Sequence, residues 1–390
     1  MKIHNKHGLT NILAMNFFYS MIVASVATIL PLYMLEKGFS ISSIGLVLSV
    51  MPLIFLVIRI VLSSIGDQTG TRPIFFINAI SNLASVIIYW VSASPLGFAI
   101  GKVFEGGRAS AFWAVNRTEI YDNSKLSELK DNAVKIVGVR SAGDVFGRIF
   151  AGIILTALTM FNVFVSLGVL SLSLFYFSGK VKDNHQKMKL DGNIMKKIFA
   201  KRSNIFWLAS LPLGFIGAID YFLFSFVFPV YMDASLHMTY AEIGFMIGLF
   251  SATFTIFIFA FRKNTSDNFL FWLIIPLAVV PLLLFFTIDN VLFAGLICIL
   301  AVGWAISFTF FEKIVAWATS KSKNVSTEIG VIHAPQRILE FILLASGGFI
   351  ISYFGFFGIF ILSAVFVVIF MMVLWPILHK MKKSEVLVWE

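Results

Sequence analysis

The stretch GDQTGTRP (66–73) is a polar, glycine-punctuated segment between two long apolar stretches. Before it stands IGLVLSVMPLIFLVIRIVLSS (44–64), and after it stands IFFINAISNLASVIIYWV (74–91). Each flanking stretch is about as long as the roughly 20 residues that a helix needs to cross a bilayer. The polar segment is therefore predicted to be a tight turn at a membrane surface, joining two transmembrane helices.

The same pattern recurs along the whole chain. Hydrophobic residues make up 59% of the 390 residues, only 13% are charged, and the mean hydropathy is +0.92. A soluble domain of this length needs far more surface charge, so the composition indicates an all-α membrane protein. Twelve transmembrane helices are predicted, at about residues 11–35, 41–64, 73–93, 96–118, 133–158, 160–179, 204–231, 240–261, 268–288, 291–315, 327–353 and 356–379.

Charges in the loops predict the orientation of these spans. With the N-terminus in the cytoplasm, the opposite loops contain Lys37 as their one basic residue, which is the positive-inside pattern. This pattern explains the net charge of +10 without a nucleic-acid partner, and short outer loops favour a plasma membrane with both termini cytoplasmic. The basic residues on the cytoplasmic side are Lys2, Lys6, Arg72, Lys125, Lys130, the run 180–202, Arg262, Lys263, Lys321, Lys323, Lys380, Lys382 and Lys383.

The two halves of the chain resemble each other. PLYM (31–34), at the end of span one, recurs as PVYM (229–232) at the end of span seven. GVRSA (138–142) opens span five, and GVIHA (330–334) opens span eleven at nearly the same offset. Parallel six-helix repeats are an architecture of secondary transporters. The prediction is two pseudo-symmetric six-helix bundles, 1–179 and 204–390, joined by a polar cytoplasmic linker at 180–203.

With these spans and this repeat, the chain resembles the major facilitator superfamily over its full length. The family's loop between helices two and three reads roughly G-x-L-a-D-R-x-G-R-R, and SSIGDQTGTR (63–72) matches it at Asp67, Gly70 and Arg72. The resemblance implies a gate that holds the outward-open state, to which Arg117 is a further candidate. Gly70 permits the tight reversal, and Asp67 can satisfy the positive N-terminus of a neighbouring helix. Ser63, Gln68 and Thr71 depart from the family's pattern.

Charged side chains inside the spans are candidate functional residues, because a charge at mid-bilayer costs at least a few kcal/mol. Lys102, Glu105 and Arg108 of span four are spaced by three residues, and Asp144 and Arg148 of span five by four. Each set therefore lies on one face of its helix. Counting 1.5 Å per residue from the membrane surface places both sets near the midplane. Since spans four and five are consecutive, Glu105 and Arg108 are expected to meet Asp144 and Arg148.

The second half adds fewer charges. Span eleven carries His333, Arg337 and Glu340 on one face, and span seven carries Asp220. Burial penalises the charged form of a carboxylate, so the acidic residues are candidate proton carriers. Those residues are Glu105, Asp144, Glu340 and Asp220. The candidates for holding a solute are Arg108, Arg148, Arg337, Lys102 and His333.

A structural alternative applies to each of these charges, namely that they pair internally and only hold helices together. It is favoured for Arg59, Arg117 and Lys313, which are predicted near the cytoplasmic membrane face. His333 stays open between a packing residue and a proton relay. Trp113 is interpreted as a packing residue.

One departure from the family's sequence pattern narrows the chemical class of the solute. Drug/proton antiporters carry G-P-x-x-G-G on helix five, whereas GDVFGR (143–148) keeps two glycines but has Asp144 and Arg148 at the other positions. A pocket for lipophilic drugs rarely contains a charge pair, and the set of mid-membrane charges is slightly net positive. A small polar or anionic solute is therefore predicted. The glycines at 143 and 147 are expected to allow close helix packing.

These observations predict a monomeric, proton-coupled secondary transporter that works by alternating access. Two other functions stay open: a multidrug efflux antiporter, and a membrane sensor of the same fold that transports nothing. An enzyme is not predicted, because H-E-x-x-H and G-x-S-x-G motifs are absent. No cofactor or metal is predicted either, since the chain has one cysteine, Cys298, and no cluster of metal ligands.

Overall fold

The protein's structure, a computed structural model, describes residues 6–123, 129–181, 200–261, 267–287, 289–319 and 325–386. These residues form helices and no strand, which confirms the all-α prediction. A π-helical turn, Leu223–Val227, joins α7 to α8. The helices are α1 (Lys6–Glu36), α2 (Ile41–Thr69), α3 (Thr71–Val91), α4 (Pro95–Asp122), α5 (Leu129–Ala157), α6 (Met160–Lys180), α7 (Asn204–Phe222), α8 (Phe228–Ala234), α9 (Tyr240–Ala260), α10 (Asp267–Trp272), α11 (Ile275–Phe285), α12 (Asn290–Thr319), α13 (Val325–Ile332) and α14 (Ala334–Val386).

Nine helical stretches of the described ranges are long and apolar enough to cross a membrane. One of them, Thr327–Met381, has 55 residues, or about 80 Å at 1.5 Å per residue, against roughly 30 Å of hydrocarbon. Gly355 breaks its helical geometry, with φ 65° and ψ −175°. α4 and α5 have sufficient length but carry more charge than the nine. Dividing the long stretch at Gly355 and adding α4 and α5 agrees with twelve spans, a number that stays a prediction.

Helices that are consecutive in the chain are often not neighbours in space. α4 packs mainly against α2 and α3, whereas α5 packs mainly against α1 and α9. α14 packs against both α2 and α7. The pairs α2–α14 and α5–α9 therefore join the first six helices to those that follow residue 204. Polar residues on α5 and α14 lie close to this junction.

Backbones approach each other closely where α2 begins, a part of the bundle called here the Ser42 end. A Cβ atom on Gly348 of α14 would lie 2.5 Å from the carbonyl oxygen of Ile41. A Cβ atom on Gly152 of α5 would lie 2.7 Å from the carbonyl oxygen of Tyr240 in α9. Glycine is needed at both positions for helices to pack this tightly. Both junction pairs are thus in backbone contact at the Ser42 end.

Gly348→Val should therefore destabilise the protein. The added side chain cannot fit beside Ile41 unless α14 moves away from α2, and overpacking of this kind costs about 1–3 kcal/mol. The midpoint of thermal unfolding in detergent should fall measurably below that of the wild type.

Gly295→Val in α12 is the matched control, because no atom lies within 4 Å of a Cβ built at Gly295. It adds the same side chain and should leave the unfolding midpoint nearly unchanged. Equal losses in both variants would show that the contact between α2 and α14 does not limit stability.

Candidate functional site

A buried charge cluster on α4 faces α3. Glu105 Oε2 lies 2.9 Å from Lys102 Nζ, and Glu105 Oε1 lies 3.3 Å from Arg108 Nη2. The Tyr89 hydroxyl donates to Glu105 Oε2 at 2.6 Å, and Arg108 Nη1 donates to Asn82 Oδ1 at 3.0 Å. The three charged residues are at most 4% exposed. Their mutual pairing and these neutral partners offset the cost of removing the charges from water.

The expectation that Glu105 and Arg108 meet Asp144 and Arg148 is wrong for the ion pairs that the structure describes. Glu105 pairs within α4, and Asp144 pairs within α5. The reason is that α4 turns its charged face toward α3 while α5 packs against α1 and α9. The expectation assumes that consecutive spans are neighbours, but sequence order does not fix which helices touch.

Asp144 stands where α5 meets α9. Asp144 Oδ2 lies 3.1 Å from Arg148 Nε and accepts a hydrogen bond from Ser251 Oγ of α9 at 2.6 Å. Arg148 Nη1 is buried and has no hydrogen-bond partner among the described residues. One carboxylate oxygen thus links the two helices, and the arginine keeps an unused donor.

The charged face of α14 is built around Glu340, which is fully buried. Arg337 Nη1 lies 2.6 Å from Glu340 Oε2, and Gln336 Nε2 donates to Glu340 Oε1 at 2.9 Å. The Arg337 guanidinium lies over the ring of Phe55 in α2, 4.3 Å from its centroid. Arg337 Nε and Gln336 Oε1 are buried without a partner in the part of the chain that the structure describes.

Asp220 on α7 differs from the other acidic residues, because its side chain is exposed. Within the described ranges it has neither an ion pair nor a hydrogen bond. Its electrostatic neighbours are Arg148 and Asp144 on α5 and Glu340 on α14. Asp220 is therefore an exposed carboxyl group within electrostatic range of charged residues on α5 and α14.

His333 lies apart from these contacts, in the turn between α13 and α14. Its Nδ1 donates to the Ile329 carbonyl oxygen at 2.5 Å, and its ring centroid lies 5.3 Å from that of Phe311 in α12. Its assignment as a solute ligand stays a prediction. The structural interpretation of Lys313 is confirmed, since Lys313 Nζ pairs with Asp267 Oδ1 of α10 at 2.5 Å.

The turn between α2 and α3 reverses at Gly70, as the sequence predicts. Gly70, with φ 90°, precedes α3, so the reversal uses a conformation that favours glycine. A carboxylate that sequence reasoning missed, Glu119 of α4, accepts from Thr71 Oγ1 at 2.5 Å and from Asn123 Nδ2 at 2.7 Å. An acidic group beside the first residue of a helix offsets the positive end of its dipole.

The structure describes only one of the remaining gate candidates, Arg72, with its side chain. Arg72 is exposed and lies over the ring of Phe76, 5.9 Å from its centroid. The side chains of Asp67 and Arg117 lie outside the described residues. Their assignments to the gate stay predictions.

Sequence reasoning missed several neutral or aromatic residues that contact the charges. Gln336 stands four residues before Glu340, a spacing that could have identified it. Trp113 is more than a packing residue, because the Arg140 guanidinium lies 4.1 Å from its ring centroid. Other contacts gave no signal, since small hydroxyl and aromatic side chains are common in any membrane helix. The missed residues are Gln336, Ser251, Phe55, Tyr89 and Asn82.

Known proteins supply the identity of this fold. Residues 12–217, more than half of the chain, match the family model described as Major Facilitator Superfamily. The crystal structure of the nucleoside transporter NupG is similar with a TM-score of 0.75 at 14% sequence identity, covering 95% of this chain and 99% of that chain. Such an identity shows a shared fold alone. No curated protein sequence matches the chain. The chain belongs to the Major Facilitator Superfamily, and it is a multi-pass membrane transporter of a small solute rather than an enzyme.

Proposed function

We propose that the chain moves a small polar solute across the plasma membrane by alternating access, coupled to protons. The solute binds between α5, α7 and α14. One observation carries this proposal: Arg148 Nη1 is buried without a partner among the described residues, and both Arg148 of α5 and Glu340 of α14 act electrostatically on the exposed Asp220 of α7. Both termini are cytoplasmic, and the protein acts as a monomer.

The unpartnered atoms are costly unless something binds them. A buried polar atom without a hydrogen bond costs about 1–3 kcal/mol. Here Arg148 Nη1, Arg337 Nε and Gln336 Oε1 belong to residues that otherwise hold well-defined contacts. A solute that supplies their partners is stabilised by groups already held in position. Lys102, Glu105 and Arg108 are paired with one another within α4, so we do not assign them to the solute, although Arg108 Nε is also buried without a partner among the described residues.

The proposed movement of the two halves follows from the division of the chain into two six-helix bundles. Residues 1–179 and 204–390 rotate as two bodies, with 180–203 as the cytoplasmic linker. The Ser42 end is then the external end, where backbone contacts close the solute path. Opening requires α2 to separate from α14 there, and α5 from α9.

Proton coupling is assigned to Asp144. Its Oδ2 atom is shared between Arg148 of its own helix and Ser251 of the other half. When the halves separate, the carboxylate loses the Ser251 hydroxyl and changes its exposure to water. A proton replaces that lost donor.

A disulfide across the Ser42 end should stop transport. Ser42 Oγ and Ser352 Oγ lie 3.2 Å apart, so cysteines at both positions can be oxidised to a bridge with modest adjustment. In a Cys298→Ser background, Ser42→Cys with Ser352→Cys should lose solute uptake on oxidation and regain it on reduction.

Ser40→Cys with Ser43→Cys provides the control, because those hydroxyls are 2.9 Å apart without spanning the two halves. Oxidation there should leave uptake intact. Undiminished uptake with the bridge between Ser42 and Ser352 closed would rule out opening at this end.

Arg148→Ala should abolish stabilisation of the purified protein by its solute. A ligand at about 100 times its dissociation constant stabilises a protein by roughly 2.7 kcal/mol, which thermal unfolding detects. The panel contains organic anions, sugars, amino acids and lipophilic cations. Stabilisation by lipophilic cations that persists in Arg148→Ala would instead support multidrug efflux.

Asp144→Asn should uncouple solute uptake from protons while leaving the protein folded. Asparagine keeps an oxygen that can accept from Ser251, but it cannot release or bind a proton. Uptake into proteoliposomes with and without a pH gradient measures the effect. A variant that still responds fully to the gradient would refute the assignment, and an unchanged unfolding midpoint excludes misfolding as the cause of a loss.

A further inference from the structure

We infer that the solute is a small zwitterion, whose cationic group lies at Asp220 and whose anionic group lies at Arg148 and Arg337. The inference rests on the proposed transport function and narrows its solute class. It comes from complementary groups that lack a partner among the described residues: hydrogen-bond acceptors near α7 and hydrogen-bond donors on α5 and α14.

The acceptors lie together. A Cβ atom on Gly217 of α7 would lie 2.5 Å from Gln336 Nε2, so the Gln336 amide packs directly on α7. Gly217 stands three residues before Asp220, and residues at this spacing share one face of a helix. Gln336 Oε1 has no donor among the described residues, and the Asp220 side chain is exposed. A group rich in N–H donors would satisfy both residues.

The donors belong to guanidinium groups that are already oriented. Arg148 uses Nε for Asp144, and Arg337 uses Nη1 for Glu340. Arg148 Nη1 and Arg337 Nε remain buried without an acceptor in the described part of the chain. Carboxylates are the usual partners of such N–H groups, because charge-assisted bonds are about twice as strong as neutral ones.

The balance of charge disfavours a simple anion. Arg148 and Arg337 each have a carboxylate at ion-pair distance, on the same helix. Asp220 adds a further carboxyl group, which has no ion pair among the described residues, and two of its three electrostatic neighbours are carboxylates. An anionic solute without a cationic group would leave the Asp220 carboxyl group without a partner. A zwitterion gives Asp220 an ion-pair partner and satisfies the arginine donors at the same time.

The test uses thermal unfolding of the full-length protein in detergent with each of the standard amino acids. For every amino acid that stabilises it, two derivatives follow: the N-acetyl form, which lacks the cation, and the amide, which lacks the carboxylate. We expect at least one amino acid to stabilise the protein and both derivatives to bind at least about tenfold more weakly.

Asp220→Asn should weaken binding of that amino acid about tenfold and leave its N-acetyl derivative unaffected. Asp233→Asn is the matched control, on α8 near the Ser42 end, and should bind like the wild type. This comparison tests the position of the cationic group separately from the overall preference for zwitterions.

Three results would overturn the inference. They are equal binding of the N-acetyl derivative and its parent, stabilisation by sugars, nucleosides or organic anions without any amino acid, and unchanged binding in Asp220→Asn. None of them removes the proposed transport function. The bridge between Ser42 and Ser352 tests that function independently of the solute.

Discussion

A charge inside a membrane needs a partner, and the ion pairs that the structure describes on α4, α5 and α14 each lie within one helix. Glu105 pairs with residues three positions away, Asp144 pairs with Arg148 one turn on, and Arg337 pairs with Glu340. An ion pair broken in a medium of low dielectric constant leaves two charges at a cost of several kcal/mol each. Pairs within one helix avoid this cost, because helices can move apart without separating the charges.

The contacts between the two sets of helices are of a weaker kind. Ser251 donates a single hydrogen bond to Asp144, and Arg337 lies over the ring of Phe55. A hydrogen bond to a charged group contributes about 1.5–3 kcal/mol, and a cation–π contact contributes about 0.5–2 kcal/mol. Such contacts can form and break during a transport cycle. The strong interactions thus lie within single helices, and the weaker ones join helices of the two halves.

Hydrophobic length and residue spacing were sufficient to predict the helices and the helical faces that carry charge. The sequence pattern also predicted the chain reversal at Gly70. The positive φ of Gly70 is required by the turn itself and does not depend on which helices pack together. The pattern did not predict that the face with Arg108 turns toward Asn82, since helical periodicity defines a face but not the helix opposite it. Gln336 was missed for a related reason: an amide inside a span becomes informative only when its neighbours are known.

The mid-membrane charges fall into separate groups in the structure. Counting every charged residue near the midplane gives a slight positive excess, which includes Lys102 and Arg108. Both are buried and are neutralised in part by Glu105. The charges that act on Asp220 belong instead to Arg148, Asp144 and Glu340. The solute class inferred from net charge stays a prediction.

Gly355 gives the last two spans a mechanical property of their own. The helical geometry of Ala334–Val386 is interrupted at this single residue rather than by a loop. A single connecting residue provides no extra chain length, so a tilt of the segment before Gly355 also moves the segment after it. Arg337 and Glu340 therefore lie on the segment before Gly355, and the segment after Gly355 packs against α11. Lengthening that connection by a few flexible residues would let one segment move without the other.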